Sequence, residues 1–306
     1  GVITTGAAPG ARYATLPYLA RTPQEVLASG GNKPSLSSNL AILDEVRESG
    51  IKRLAFIGVG CQVHMLRMIE DQLGLDKLYV IGIPCTDNVS YPDLLYFLDT
   101  VSDSPETVVH YEFMQDFSVW FKHENGRTEK INYVDLPPNK LNNIFPDACL
   151  SCFDYPNALS DITIGYLGAK MGWQWVMVRT EIGEELFEIL RPELEFTELI
   201  DSGQRQAAVE GYIDILNTPN RTQKPWLLRK FIALMQRWFG PKGLEFARSN
   251  IEMKFLRNMQ HVRSNFPNQE RRIVPAYVYT VLEKYGQKYE SVFDRPLNSP
   301  KQRGKR

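Results

Sequence analysis

Four cysteines occur in the 306 residues: Cys61, Cys85, Cys149 and Cys152. The last two form a Cys-x-x-Cys pair within "CLSCFDYPNALSDITIGYLG". Such a pair is half of a four-sulfur site or the whole of a redox dithiol. A thioredoxin-like dithiol opens a helix, whereas Pro156 and the surrounding Asp and Asn residues mark a loop. Together with Cys61 and Cys85, the pair makes a ligand set for an iron–sulfur cluster. A structural zinc site fits the same count, although zinc ribbons usually carry two Cys-x-x-Cys knuckles. Four unrelated buried thiols are the third reading, and spacing alone leaves all three open. So few cysteines in so long a chain argue against a disulfide scaffold and for a reducing compartment.

The elements around these residues explain why distant cysteines can meet. "GIKRLAFIGVGCQVHMLRMIEDQLG" reads as a strand at Leu54–Ile57, a turn with Gly58 and Gly60, then a helix with Val63, Leu66, Ile69 and Leu73 on one stripe. "KLYVIGIPCTDNVSYPDLLYFLDTV" repeats that plan, with Leu78–Ile81 as the strand and Leu94, Leu95 and Leu98 on the helix. Alternating strands and helices indicate parallel α/β units. Cys61 and Cys85 then follow the carboxyl ends of two strands, the edge at which open α/β sheets bind ligands. "HYEFMQDFSVWFKHENGRTEKINYV" reads as a hairpin turning at Asn125-Gly126. The expected fold is α/β: a mixed, largely parallel sheet with helices on both faces, plus a basic helical C-terminal region.

Two glycine-rich helix entries are candidates for cofactor phosphate. The first is the Gly58–Gly60 turn, where glycine lets a backbone approach an anion at a helix N-terminus. The second is "SGGNKPSLSSNLAIL", which offers Lys33, Ser37, Ser38 and Asn39. Simple alternatives stand beside both, since a tight βα turn needs glycine anyway and Ser37, Ser38 or Asn39 can cap a helix. The scattered histidines His64, His110, His123 and His261 receive no role. Asp154 and Asp161 read more simply as turn formers than as groups orienting a metal ligand.

The near-zero net charge of −1 conceals a division. Residues 219–306 carry 19 Lys+Arg against 6 Asp+Glu, a net of +13, and residues 1–218 carry −14. The change marks a boundary near "NTPNRTQKP". It separates an α/β domain over 1–218 from a basic helical region over 219–290, with a disordered tail at 291–306. In "WLLRKFIALMQRWFG" the stripe Leu227, Phe231, Leu234 and Trp238 is expected to dock on the protein's own core, leaving Arg229, Lys230 and Arg237 outward. No run approaches the roughly 20 apolar residues of a membrane span, and the N-terminus lacks the regions of a secretory signal. That N-terminus reads like the inside of a domain, so upstream residues are expected. Nothing in the sequence points to nucleic acid.

"IGVGCQVHMLR", "LYVIGIPCTDN", "HYEFMQDF", "CLSCFDYPNALSDITIGYLG" and "FGPKGLEFAR", in that order, resemble one family. It is the flavin- and iron–sulfur-containing family of deazaflavin-dependent hydrogenase beta subunits, and within it the chlorophyll-pathway reductases. The resemblance extends to about Tyr285. It implies an oxidoreductase with FAD and 4Fe–4S clusters that takes electrons from reduced ferredoxin, with residues 1–218 as the flavin- and iron–sulfur-binding domain. Its cysteine positions fall on Cys61, Cys85, Cys149 and Cys152, and the flavin is expected near Gly58, Gly60, Lys33, Ser37 and Asn39. The implied substrate is a chlorophyll-type tetrapyrrole, first the 8-vinyl group of divinyl (proto)chlorophyllide and second the 7-hydroxymethyl group of chlorophyll a. An electron-transfer subunit feeding a partner enzyme is the alternative of another class. The implied location is the cyanobacterial cytoplasm at the thylakoid, or the chloroplast stroma of an alga or plant. Peripheral thylakoid contact and a homo-oligomer are both compatible with it.

Three departures from the family pattern stand out. Gly58-Val59-Gly60-Cys61 replaces the usual Gly-Thr-Pro-Cys, the cysteine-rich segment for a second cluster is not in this sequence, and the stretch from Gly168 to Gln174 is short.

Overall fold

The computed structural model describes residues 1–31, 33, 35–141, 143–217 and 224–291, with the side chains of 138, 139, 287, 290 and 291 left out of the description. The first half alternates strands and helices: β1 (Val2–Ala7), β2 (Thr15–Ala20), α1 (Pro23–Ala28), α2 (Leu43–Glu48), β3 (Arg53–Val59), α3 (Gly60–Ile69), β4 (Lys77–Ile83) and α4 (Tyr91–Val101). Then come β5 (Val108–Met114), β6 (Ser118–His123), β7 (Thr128–Asn132), two single turns α5 (Pro138–Leu141) and α6 (Asp147–Leu150), β8 (Ile162–Gly165), β9 (Trp175–Val178) and α7 (Glu181–Leu190). The C-terminal part holds β10 (Asp201–Ser202), α8 (Arg205–Leu216), α9 (Trp226–Phe239), β11 (Lys242–Gly243), α10 (Leu244–Asn265), α11 (Glu270–Ile273), α12 (Ala276–Glu283) and α13 (Gly286–Ser291).

The main sheet has the order β2-β1-β3-β4-β8-β9. Its inner pairings β1–β3, β3–β4 and β4–β8 are parallel, while β2 and β9 pair antiparallel at the edges. The mixed, largely parallel α/β fold read from the sequence is therefore the fold observed. Period-2 alternation sends Leu54 and Phe56 of β3 and Leu78 and Val80 of β4 to one face. There they meet Leu43 and Val46 of α2 and Val63 and Leu66 of α3 in a closed core. On the other face Tyr79 reaches α7, its hydroxyl donating to Glu185 at 2.9 Å. The β1–β2 hairpin went unread because Thr4, Thr5 and Gly6 in β1 and Pro17 in β2 weaken the apolar run of each strand.

The second sheet is the antiparallel meander β5-β6-β7. The Asn125-Gly126 turn is where it was expected, with Gly126 at φ 80°. A further turn lies between β5 and β6 and has no glycine. Phe117 takes φ 61° there, and its ring packs edge-on against Phe246 at 5.2 Å. Packing supports a conformation that local sequence does not advertise.

The C-terminal helices build their own core. Val209 and Ile213 of α8, Phe255, Leu256, Met259 and Val262 of α10, and Val278 and Leu282 of α12 close around Phe153. Phe153 comes from the Cys-x-x-Cys loop, so α10 lies beneath that loop. The charge boundary falls at 218–223, outside the described residues, and the tail expected at 291–306 also lies outside them apart from the backbone of Ser291.

Helix α9 corrects an expectation. The stripe Leu227, Phe231, Leu234 and Trp238 does not dock on the core: these residues are 65, 58, 44 and 65% exposed. The opposite face holds the helix. Arg229 pairs with Asp135 at 3.1 Å, and Arg237 donates to Asn132 at 3.1 Å. Polar anchors on the segment at and after β7 thus turn the apolar side outward.

Candidate functional site

The β3–β4 pairing is parallel and in register from Arg53↔Lys77 to Val59↔Ile83, so both strands end at one edge. Cys61 lies in the first turn of α3, directly after β3, and Cys85 two residues past β4. Cys149 sits in α6, with Cys152 in the turn that follows, where the Cys152 amide donates to the Cys149 carbonyl at 3.2 Å. Two bonds tie this loop to the strand ends. The Cys85 amide donates to the Tyr155 carbonyl at 3.2 Å, and Asn157 Nδ2 donates to the Gly58 carbonyl at 2.8 Å.

The thiols lie close enough to feel one another. Burial pushes the Cys61 thiol up, and the charges of Cys152 and Cys149 push it further the same way. Cys85 is pushed up by burial too, with Lys254 opposing the shift and Asp87, Cys149 and Cys61 adding to it. Burial also raises Cys149, against a backbone hydrogen bond from Asn88. Cys61 is the exposed member and the other three are half-buried. Among the described residues no three His, Cys, Asp or Glu groups come close enough to hold a single metal ion. A cluster makes a different demand, because its sulfur ligands attach to separate iron atoms and need not meet at one point.

Sequence reasoning missed the floor of the site. Lys254 of α10 is 3% exposed and donates to the carbonyls of Thr86 and Cys149. Its ammonium pairs with Asp87 at 3.2 Å, and Arg257 holds the second oxygen of Asp87 at 2.5 Å. Asn258, fully buried, donates through one amide to the carbonyls of Cys149 at 3.0 Å and Cys152 at 2.7 Å. Lys254 and Arg257 share the single carboxylate of Asp87, so one positive charge is left over beside Cys85 and Cys149, which suits an anionic occupant. The only signal in the sequence was polar residues at i and i+4 on a helix whose neighbours are apolar. Two polar atoms on the same loop, Tyr155 Oη and Asn157 Oδ1, are buried without a partner.

The phosphate candidates divide. Asn39, 1% exposed, exchanges hydrogen bonds with Thr5, accepts one from the Ser37 hydroxyl and donates to the Ile57 carbonyl, and Gln62 donates to the Ser37 carbonyl at 2.7 Å. Ser37 and Asn39 therefore sit against the Gly58–Gly60 turn. Neither caps a helix, since the chain enters α2 through a 3₁₀ turn at Asn39–Ile42. Lys33 is engaged elsewhere, on the carbonyls of Ser29, Gly30 and Gly31 behind α1. The glycines meet protein: a Cβ at Gly58 would strike Phe56 and Gln62, and one at Gly60 would lie 2.8 Å from Asp154 Oδ2. Asp154 itself accepts from the Ala158 amide, as a turn former does, and also contacts His64 Nε2 at 3.1 Å. Asp161, 1% exposed, anchors the Val80 amide, Thr180 and Arg67.

Two parallel strands thus end beside a cysteine loop with a buried lysine under it. Residues 51–201 match the family of coenzyme F420 hydrogenase/dehydrogenase beta subunits, in the part described as their C terminus. The chain belongs to this family of oxidoreductases. It is 45% identical over 274 residues to an uncharacterized protein of Nostoc sp., covering 90% of this chain and 68% of the relative. It is 39% identical over 301 residues to the chloroplastic 7-hydroxymethyl chlorophyll a reductase of Oryza sativa subsp. japonica, covering 93% of this chain and 63% of that protein. The chain thus spans about two thirds of the length of these relatives. Its fold is shared with a chain of the F420-reducing [NiFe] hydrogenase complex from Methanosarcina barkeri, at a TM-score of 0.57 and 24% identity over 63% of this chain and 67% of that one.

Proposed function

We propose that this chain is a ferredoxin-dependent reductase of a chlorophyll-pathway tetrapyrrole, with one 4Fe–4S cluster held by Cys61, Cys85, Cys149 and Cys152. The observation that supports the reading is that the Cys149–Cys152 loop is tied by hydrogen bonds to the strand ends that carry Cys61 and Cys85, beside the buried Lys254. Cluster and FAD together would convert single electrons from ferredoxin into the two-electron change that reduction of a ring substituent requires. The residues around the cysteines would do the holding. Asn258 fixes the carbonyls of the Cys-x-x-Cys turn, Lys254 supplies a compensating charge, and Asn157 ties the loop to the end of β3.

FAD is assigned to the corner formed by Ser37, Asn39 and the Gly58–Gly60 turn, with Lys33 in a supporting place on the neighbouring loop. The 8-vinyl group is the first substrate on the motifs quoted above. The 7-hydroxymethyl group is the second, favoured by the name of the rice relative. Likeness to hydrogenase and dehydrogenase subunits favours the other class of reading, an electron-transfer subunit serving a partner enzyme. A cyanobacterial thylakoid surface or a chloroplast stroma suits either, given relatives from Nostoc and rice.

The test is anaerobic reconstitution followed by turnover with both pigments. Reduction of one of them with ferredoxin as donor supports the proposal. A flavin-loaded, cluster-loaded protein that binds neither pigment contradicts it and leaves the electron-transfer subunit.

A further inference from the structure

The most unusual surface of the molecule is α9. Of its 14 residues only Ala233 is buried. Leu227, Phe231, Leu234 and Trp238 are between 44 and 65% exposed and fall on one side at helical spacing, and Trp226, 55% exposed, opens the helix beside them. The two tryptophans stand twelve positions apart, about 18 Å along the axis at 1.5 Å per residue. Scattered exposed apolar residues need no explanation, but a contiguous aromatic and aliphatic face does.

Charge decides what covers it. Between Pro219 and Leu244 the sequence has six basic residues and no acidic one. Arg229 is committed to Asp135. Lys224, Lys230, Arg237 and Lys242 are exposed, and the Lys230 ammonium lies 4.4 Å from the centre of the Trp226 ring. A second copy packed helix to helix would bring cations together with no acid on α9 to pair them. An acidic soluble partner would find the cations but leave the apolar stripe in water. A bilayer with anionic headgroups satisfies both: acyl chains take the stripe, phosphates take the cations, and tryptophan side chains sit at the boundary.

We propose that α9 is a membrane-surface helix, lying in the interface of an anionic bilayer with Leu227, Phe231, Leu234 and Trp238 inserted. It lies on the surface and does not cross, for among the described residues no helix is long and apolar enough to span a membrane. The inference stands apart from the identity of the substrate. Where the substrate is a lipid-soluble pigment, it also says where the enzyme meets it.

Vesicle flotation of the full chain tests it, using phosphatidylcholine vesicles with and without phosphatidylglycerol. The expected result is binding to the phosphatidylglycerol vesicles that weakens with salt, with a blue shift of tryptophan emission. Phe231→Ser with Trp238→Ser should cut binding roughly tenfold or more, with circular dichroism and Tm unchanged because both side chains are already in water. Lys230→Glu should weaken binding to the anionic vesicles alone. Wild-type protein that stays with the unbound fraction overturns the proposal, as does undiminished binding by the double variant. Light scattering that finds a dimer dissolved by the same two substitutions, with no vesicle binding, assigns the stripe to a second copy instead.

Discussion

Lys254→Met removes the cation under the cysteine loop while keeping most of its volume. The Lys254 and Asp87 side chains are 1 and 6% exposed, and breaking one side of such a buried pair costs about 3–5 kcal/mol. Arg257 still holds Asp87 after the change, which brings the cost toward the lower end. The Cys149 carbonyl keeps Asn258, but the Thr86 carbonyl loses its lysine donor. The sum is about 3 kcal/mol, or a fall in Tm of roughly 5 °C for a chain of this size. Scanning calorimetry of the cofactor-free protein under reducing conditions reads it. Asp87→Asn in the same chain should add less than its own single-variant cost, because contacting charges are coupled. In the reconstituted protein the variant should also lower the cluster's reduction potential, since a nearby positive charge favours the added electron. A Tm change within about 1 °C would refute the account of Lys254 as a buried, compensated charge.

Three further outcomes follow from named contacts. Gly60→Ala places a Cβ 2.8 Å from Asp154 Oδ2 and should cost about 1–3 kcal/mol with loss of flavin on purification, whereas unchanged stability and flavin content would remove this turn from the site. Tyr13, whose hydroxyl donates to the Val108 carbonyl at 2.6 Å, is pushed up to about 12 by burial, with Arg12 opposing. Its folded-state value exceeds the ordinary 10.0, so the stability it gives is full below pH 10 and is lost as pH rises toward 12, and the ultraviolet difference between wild type and Tyr13→Phe should titrate there. Turnover with limiting ferredoxin should fall as salt screens exposed charge. A salt-independent rate would leave no steering role for the basic residues of the C-terminal region outside α9.

Much of this architecture was legible because its signals are local. Alternating apolar runs gave β3, α3, β4 and α4, and from them the shared edge for Cys61 and Cys85. What escaped depends on contacts between distant segments. Lys254 and Asn258 look like solvated helix residues until α10 is seen beneath the cysteine loop. The α9 stripe was read inward because amphipathic helices usually bury their apolar side, and nothing local reveals that Asp135 and Asn132 would claim the other side. Phe117 turns the chain without glycine because Phe246 supports it. The glycines of the βα turns proved to admit Asp154 and Gln62, which sequence cannot distinguish from admitting a phosphate.

The cluster assignment is tested most directly by metal and sulfide analysis of anaerobically reconstituted protein beside single Cys→Ser variants. The account predicts about four iron and four sulfide per chain, with loss of the visible absorption band when Cys61, Cys85, Cys149 or Cys152 is replaced. Stoichiometric zinc with no sulfide, or full iron loading in the Cys61→Ser and Cys85→Ser variants, would contradict it.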